Sequence, residues 1–262
     1  MEPSIYAYPA IFRRVHMEQP GEIAAEVAFL KEVWRRHMRR PVRRVLDVAC
    51  GDSPHGVMLA GEGIAVAGID RSPTMIAAGH EAAAKAGVKI RFYQRSIERF
   101  RIPERPFDAA YFTSETFPIM TDNRALLSHL VSVGRVLKRG ALYSVDIDLH
   151  DGVDVIATRR LWRRRQVRIG STRVEVREYH RPIEWCSGMH SIYELECRIR
   201  FPGRDTVITR DIVPVRYTLP SLLELAARAS GYFTLVAAYP DLSFTKPIEQ
   251  CYGRWFGILK RV

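Results

Sequence analysis

The chain has 262 residues, 47% hydrophobic and 26% charged, enough to bury one sizeable core plus an elaboration. No apolar run reaches the length of a membrane span, so no membrane partner is expected, and MEPSIYAYPAIFRRV lacks a secretory n-region, so a cytoplasmic location is expected. The net charge of +11 comes from arginine pairs spread along the chain, a pattern that leaves a nucleic-acid partner open without favouring it over a solvated basic surface. Residues 1–20 read as irregular, with Tyr6, Tyr8 and Phe12 close together. Glu22–Arg40 reads as an amphipathic helix, with Ile23, Val27, Leu30 and Trp34 at helical spacing and Pro41 as its stop. An apolar strand, Arg44–Ala49, runs into a turn at Cys50–Gly51 and a helix start. A second apolar strand then ends on Asp70. Ser72 is a good N-cap, Pro73 suits the first helical turn, and Gly87 is a natural stop. A third strand, Val88–Gln94, leads to Arg95-Ser96-Ile97, and a fourth, Phe107–Phe112, leads to Thr113-Ser114-Glu115-Thr116. A helix from Asp122 to Lys138 places Leu126, Leu130, Val133 and Leu137 on one face. Gly140 ends it, and Ala141–Ile147 forms a fifth strand.

From about Val155 to Tyr217 the texture changes. Gln166–Ile169, Arg173–Tyr179, Ser191–Phe201 and Thr206–Val213 alternate apolar and polar residues, with turns at Gly170-Ser171 and Pro202-Gly203. That period-two pattern predicts an inserted antiparallel layer. Thr218–Ser230 then reads as a helix, Phe233–Tyr239 as a sixth core strand and Tyr252–Lys260 as a seventh. The fold class expected is α/β: a Rossmann-like, doubly wound, seven-stranded mixed sheet with an inserted antiparallel β cap. The expected division is 1–40 as N-terminal lid and helix, 41–154 as cofactor-binding core, 155–217 as cap and 218–262 as completion of the core.

Most functional information sits between Val45 and Asp70. A strand–turn–helix start presents backbone N–H groups and a helix N-terminus to a ligand, and the acid closing the next strand stands where ribose hydroxyls need an acceptor. A dinucleotide-binding oxidoreductase competes for this reading, because Gly51-x-Ser53-x-x-Gly56 is one substitution from the fingerprint of that class. Asp47 argues against it. A carboxylate inside the first strand repels a pyrophosphate but welcomes a ligand carrying an ammonium and a sulfonium. Ser53 also replaces the glycine that lets backbone approach a pyrophosphate, and Pro54 stiffens the turn.

With Asp47-Val48-Ala49-Cys50-Gly51 as an acid-bearing strand and Gly turn, Asp70 as the second-strand acid and Val136-Leu137-Lys138-Arg139-Gly140 before a strand, the chain resembles the class I S-adenosylmethionine-dependent methyltransferases. The match covers about residues 40–150. The resemblance implies S-adenosylmethionine as cofactor and Asp47, Ala49, Gly51, Ser53, Asp70, Arg71, Ser96, Ile97 and Thr113 as its binding residues. Gly51 would allow close backbone approach, Asp70 would take the ribose hydroxyls, Asp47 would act near the methionine amine, and Ser96 and Ile97 would border the adenine. Ser96 stands where this family usually carries an acid, so a charge-assisted bond to the adenine amine is missing. The family's N-terminal segments often close over the cofactor, a role open here to Tyr6, Tyr8, Arg13 and Arg14 or replaced by simple packing of those aromatics.

For the acceptor side, Glu115 and His150 are the candidate catalytic residues, with Asp146, Asp148 and Tyr217 as weaker ones. The expected reaction is methylation of nitrogen or oxygen on a small-molecule acceptor. Thr113-Ser114-Glu115-Thr116-Phe117 is unlike the run used for exocyclic base nitrogens, and it holds no cysteine nucleophile for pyrimidine carbon methylation. An RNA methyltransferase and a non-catalytic S-adenosylmethionine-binding module remain the alternatives. Cys50, Cys186, Cys197 and Cys251 form no C-x-x-C pair, so no metal is expected, and a homodimer is left open.

Overall fold

The computed structural model describes residues 3–16, 21–104, 106–114, 116–147, 160–182, 190–250 and 253–262. The chain divides into two compact units, one of residues 21–152 with 218–262 and one of residues 1–20 with 153–217. The expected N-terminal domain 1–40 therefore divides at Gly21, its long helix belonging to the first unit and its beginning to the second.

The first unit is built on seven strands: β1 (Arg44–Val48), β2 (Ala65–Asp70), β3 (Ile90–Gln94), β4 (Phe107–Phe112), β5 (Leu137–Ile147), β10 (Phe233–Pro240) and β11 (Trp255–Arg261). Their order is β10-β11-β5-β4-β1-β2-β3. The five strands from β1 to β5 pair in parallel, while β11 runs antiparallel to both β5 and β10. The strand order reverses between β1 and β4, so the crevice beyond their carboxyl ends is the place where open α/β sheets take ligands.

Both faces of this sheet are covered, which is why its strands are near-continuous apolar runs. Val45, Ala109, Tyr111, Leu142, Phe256 and Ile258 point to one face, where α2 (Glu22–His37) brings Phe29, Leu30, Val33 and Trp34, and α3 (Pro54–Gly61) brings Leu59. Leu46, Val48, Ala110, Phe112, Tyr143 and Val145 point to the other, against α5 (Asn123–Val136) and α6 (Pro220–Ala229). The remaining crossover is α4 (Pro73–Lys85), whose N-cap Ser72 accepts from the Met75 N–H at 3.3 Å. The α5 helix is shorter than its sequence suggests. Leu137 already pairs with Phe107, so Lys138–Gly140 belong to β5 and Gly140 lies in the strand with φ +77. Likewise α2 stops at His37, three residues before the expected Arg40, where Met38 turns extended.

The second unit is a four-stranded antiparallel sheet in sequential order: β6 (Arg160–Ile169), β7 (Thr172–Pro182), β8 (His190–Arg200) and β9 (Val207–Arg216). Val174, Val176, Leu195, Cys197 and Ile199 alternate onto one face and pack with Ile5, Ile11 and Val15 from the chain's beginning, where α1 (Pro9–His16) lies. Asp211 ties that segment down, accepting from Ser4 Oγ at 2.5 Å and from the Ile5 N–H at 2.9 Å. Tyr6 and Tyr8 pack within this unit, their rings tilted against Phe12 and Phe201 respectively. Among the described residues no helix is long and apolar enough to cross a membrane.

Candidate active site

The turn after β1 is unusual in its backbone. Ala49, Gly51 and Ser53 all carry positive φ, of 53°, 53° and 55°, so two side-chain-bearing residues hold a conformation that costs about 1–2 kcal/mol each. Hydrogen bonds fix this shape. The Cys50 N–H donates to Ile69 O at 2.9 Å, and the Ser53 N–H to Cys50 O at 2.7 Å. Asp70 anchors the turn from β2, its two oxygens accepting from the backbone N–H groups of Gly51 (2.9 Å) and Ser72 (2.8 Å). Gly51 relieves backbone strain at its φ of +53, and a Cβ there would also come to 3.0 Å from the flexible Met75 Cε.

Asp47 lies under the turn, 2% exposed, and accepts a 2.6 Å hydrogen bond from Ser53 Oγ. Burial raises its pKa from 3.8 to about 6 despite the opposing influence of His55 and the Ser53 hydroxyl. A buried carboxylate this short of positive partners is suited to a cationic ligand group. Ser53 is itself fully buried, so its hydroxyl serves Asp47 and its strained backbone shapes the turn. Gly56 must lack a side chain, because a Cβ would overlap Ser53 Oγ at 2.1 Å. Cys50 is buried, and desolvation, reinforced by the neighbouring Asp47, Asp70 and Asp52, holds its thiol well above the ordinary range, which rules it out as a nucleophile at neutral pH.

Thr113 follows β4. Tyr111 pairs with Asp47, so Thr113 lies level with Ala49 at the carboxyl edge. On the other side of the turn, Ser96 and Ile97 continue from β3, whose end is tied to β2 by the Arg95 N–H donating to Asp70 O at 2.8 Å. Ser96 Oγ accepts from the Glu98 N–H at 3.3 Å and so bends the loop, while Ile97 is half-buried and Arg71 is exposed. The fold thus gathers Asp47, Ala49, Gly51, Ser53, Asp70, Ser96, Ile97 and Thr113 around the ends of β1 to β4. Glu115 and His150, and with them Asp148, lie outside the described residues.

Sequence reading missed a buried ionic chain beside Asp47. Glu26 of α2 accepts from both His55 and Arg254. Arg254, just before β11, also grips Asp146 of β5 through a bidentate pair at 3.0 and 2.7 Å. Glu26, His55 and Asp146 are each at most 2% exposed. Burial pushes the Glu26 carboxyl up, but hydrogen bonds and charge from His55 and Arg254 prevail and hold it below its ordinary value. Asp146, an acceptor-side candidate by position, is thereby committed to Arg254. The signal for Glu26 was present: it sits three residues after Ile23, one before Val27 and four before Leu30, a lone charge on the apolar stripe of its helix. Among the described residues no group of His, Cys, Asp and Glu has a metal-binding arrangement.

Residues 45–140 match the family described as methyltransferase domain. An uncharacterized methyltransferase of Synechocystis sp. is 30% identical over 146 residues, 55% of this chain and 65% of that protein. The chain spans less than two thirds of the length of the curated relatives it matches. Among solved structures, an S-adenosylmethionine-dependent methyltransferase from Clostridium acetobutylicum superposes with a TM-score of 0.76 at 16% identity, covering 97% of each chain. The sugar N-methyltransferase KedS8 from Streptoalloteichus sp. does so with a TM-score of 0.74 at 20% identity, covering 95% of this chain and 91% of that one. At such identities the likeness shows a shared fold.

Proposed function

We propose, from the match of residues 45–140 to the methyltransferase domain family and a fold shared with S-adenosylmethionine-dependent methyltransferases, that the chain methylates an amine nitrogen, or secondarily an oxygen, of a small molecule. The observation that carries this reading is the strained turn flanked by two acids. Asp47 is buried and short of cations, while Asp70 borders the same turn and can still accept from hydroxyls through its remaining lone pairs. When bound, S-adenosylmethionine supplies a methyl group already activated on a sulfonium. What remains for the protein is to orient the acceptor, exclude water and take a proton.

In this reading Asp47 faces the ammonium end, Asp70 the ribose, and Ser96 with Ile97 the adenine. Gly51 and Ala49 give backbone approach, Thr113 borders the reacting end, and Arg71 lies at the exposed rim. Glu115 and His150 are the proposed proton acceptors. The preference for nitrogen draws on the similarity to the sugar N-methyltransferase, and the absence of a thiolate nucleophile at Cys50 agrees with direct transfer. An RNA acceptor is disfavoured because Arg164 and Arg165 of the arginine-rich β6 are paired with Glu175 and Glu178. The test is isothermal titration with S-adenosylmethionine, followed by a screen of small amines and alcohols for release of S-adenosylhomocysteine. Failure to bind S-adenosylmethionine sinks the reading. Binding without turnover on any acceptor would favour a non-catalytic module.

A further inference from the structure

Below the Ser96–Ile97 loop lies a histidine that the proposed function does not use. His129, on α5, is fully buried between Phe112, Phe117 and Tyr143. Its two ring nitrogens have different partners, each at 2.7 Å: Nδ1 meets the Ile97 carbonyl oxygen and Nε2 meets the Tyr143 hydroxyl. A carbonyl only accepts, so Nδ1 carries the proton, and Nε2 must then accept from the tyrosine O–H. Burial, only partly opposed by the bond to Ile97, lowers the imidazole pKa to about 4, so the ring is neutral and this tautomer persists at physiological pH.

One helical turn further along, Ser132 Oγ accepts from the Phe100 N–H at 3.3 Å while donating to Ser128 O at 2.8 Å. Helix α5 therefore holds the loop at two points, Ile97 and Phe100, both through backbone groups. Phe100 and Ile102 are buried anchors beside it. At the first of these points the Ile97 N–H meets no acceptor among the described residues, although the same residue's carbonyl is clamped. The exposed Ser96 already uses its hydroxyl to bend the loop. A loop that offers backbone in place of a charged side chain can discriminate only if that backbone cannot shift.

We propose that His129, clamped by Tyr143, is a positioning residue that holds the Ile97 backbone in the register from which the loop reads the purine edge of the nucleoside. This inference rests on the methyltransferase reading above, which places the adenine at Ser96–Ile97. Hypoxanthine differs from adenine in presenting an N–H donor where adenine presents a ring acceptor, so a fixed backbone donor rejects it and a loose loop tolerates it.

The experiment compares S-adenosylhomocysteine with S-inosylhomocysteine by calorimetry, in the wild-type chain and in His129→Phe, His129→Asn and Tyr143→Phe. Hydrogen exchange of the amides at 96–101 is followed in the unliganded proteins. The wild type is expected to prefer the adenosyl ligand by roughly tenfold or more, the scale of an opposed donor pair. In His129→Phe that preference should fall below about threefold, with faster loop exchange. His129→Asn, whose amide nitrogen takes the place of Nδ1 and can still donate to Ile97 O, should keep most of it. A folded His129→Phe protein with the wild-type preference and unchanged exchange overturns the proposal. Should His129→Phe not fold, Tyr143→Phe decides in the same way. If the wild type binds neither ligand, the methyltransferase reading itself falls, and unchanged loop exchange in the variants would separately refute the role of His129.

Discussion

Glu26→Gln is the sharpest test of the buried chain beside the site. The side chains of Glu26, His55 and Asp146 are 3%, 3% and 0% exposed and that of Arg254 is 16% exposed, so water cannot replace what the substitution removes. Breaking a buried ion pair by neutralising one partner costs about 3–5 kcal/mol. Arg254 retains its bidentate contact with Asp146, which argues for the lower end, about 3 kcal/mol. In a unit of this size that loss lowers the melting temperature by roughly 6–12 °C. The pH dependence has a definite sign. Glu26 is held below its ordinary 4.5 in the folded chain, so its contribution is fully present above that value and disappears as pH falls through the lowered folded pKa. Gln has no such proton, so the gap between the two proteins should close in acid. Thermal unfolding followed by circular dichroism at pH 7 and at intervals down to pH 3 measures both effects. A variant melting within about 2 °C of the wild type at pH 7, or a gap that stays constant in acid, would refute the reasoning.

Other outcomes follow from single positions. Asp47→Asn should stabilise the unliganded protein at pH 7: a folded pKa of about 6 against the ordinary 3.8 means the charge costs about 3 kcal/mol, a penalty that grows from pH 4 to pH 6. Urea titrations across that range check it, and the same variant should bind S-adenosylmethionine more weakly. Asp70→Ala should weaken cofactor binding by roughly 1–3 kcal/mol by calorimetry, and also lower the melting temperature because two turn N–H groups lose their acceptor. Gly134→Ala, which an isolated helix would welcome, should instead destabilise by about 1–3 kcal/mol, since its Cβ would overlap the Tyr232 side chain, at 2.3 and 2.4 Å from ring carbons and 2.6 Å from its Cβ. Pairing it with Tyr232→Ala should recover part of the loss.

The core of the fold was legible because it is written in local pattern. Strands β1, β2 and β4 are short apolar runs bounded by turn residues, and the Ser72-Pro73 and Asp122 helix starts have caps whose chemistry is local. The acid pair Asp47 and Asp70 could be placed for the same reason, each standing at a fixed offset from a Gly turn. One boundary was misread where a tertiary partner overrode local preference. Leu137–Gly140 has helical neighbours on one side and a turn glycine at its end, yet its pairing with β4 draws it into β5. The burial of Ser53, with its hydroxyl on Asp47, was likewise not legible in the sequence.

Composition, period and the spacing of turn residues were enough to determine a doubly wound sheet and its inserted antiparallel strands. Periodicity records which way a side chain faces, and these features ask nothing more. The Glu26–His55 and Arg254–Asp146 pairs, the tautomer of His129, and the grouping of residues 1–20 with the antiparallel strands were decided only by the tertiary structure. Each joins groups distant in sequence whose charge or hydrogen bonds become worth forming only after folding has removed the water between them.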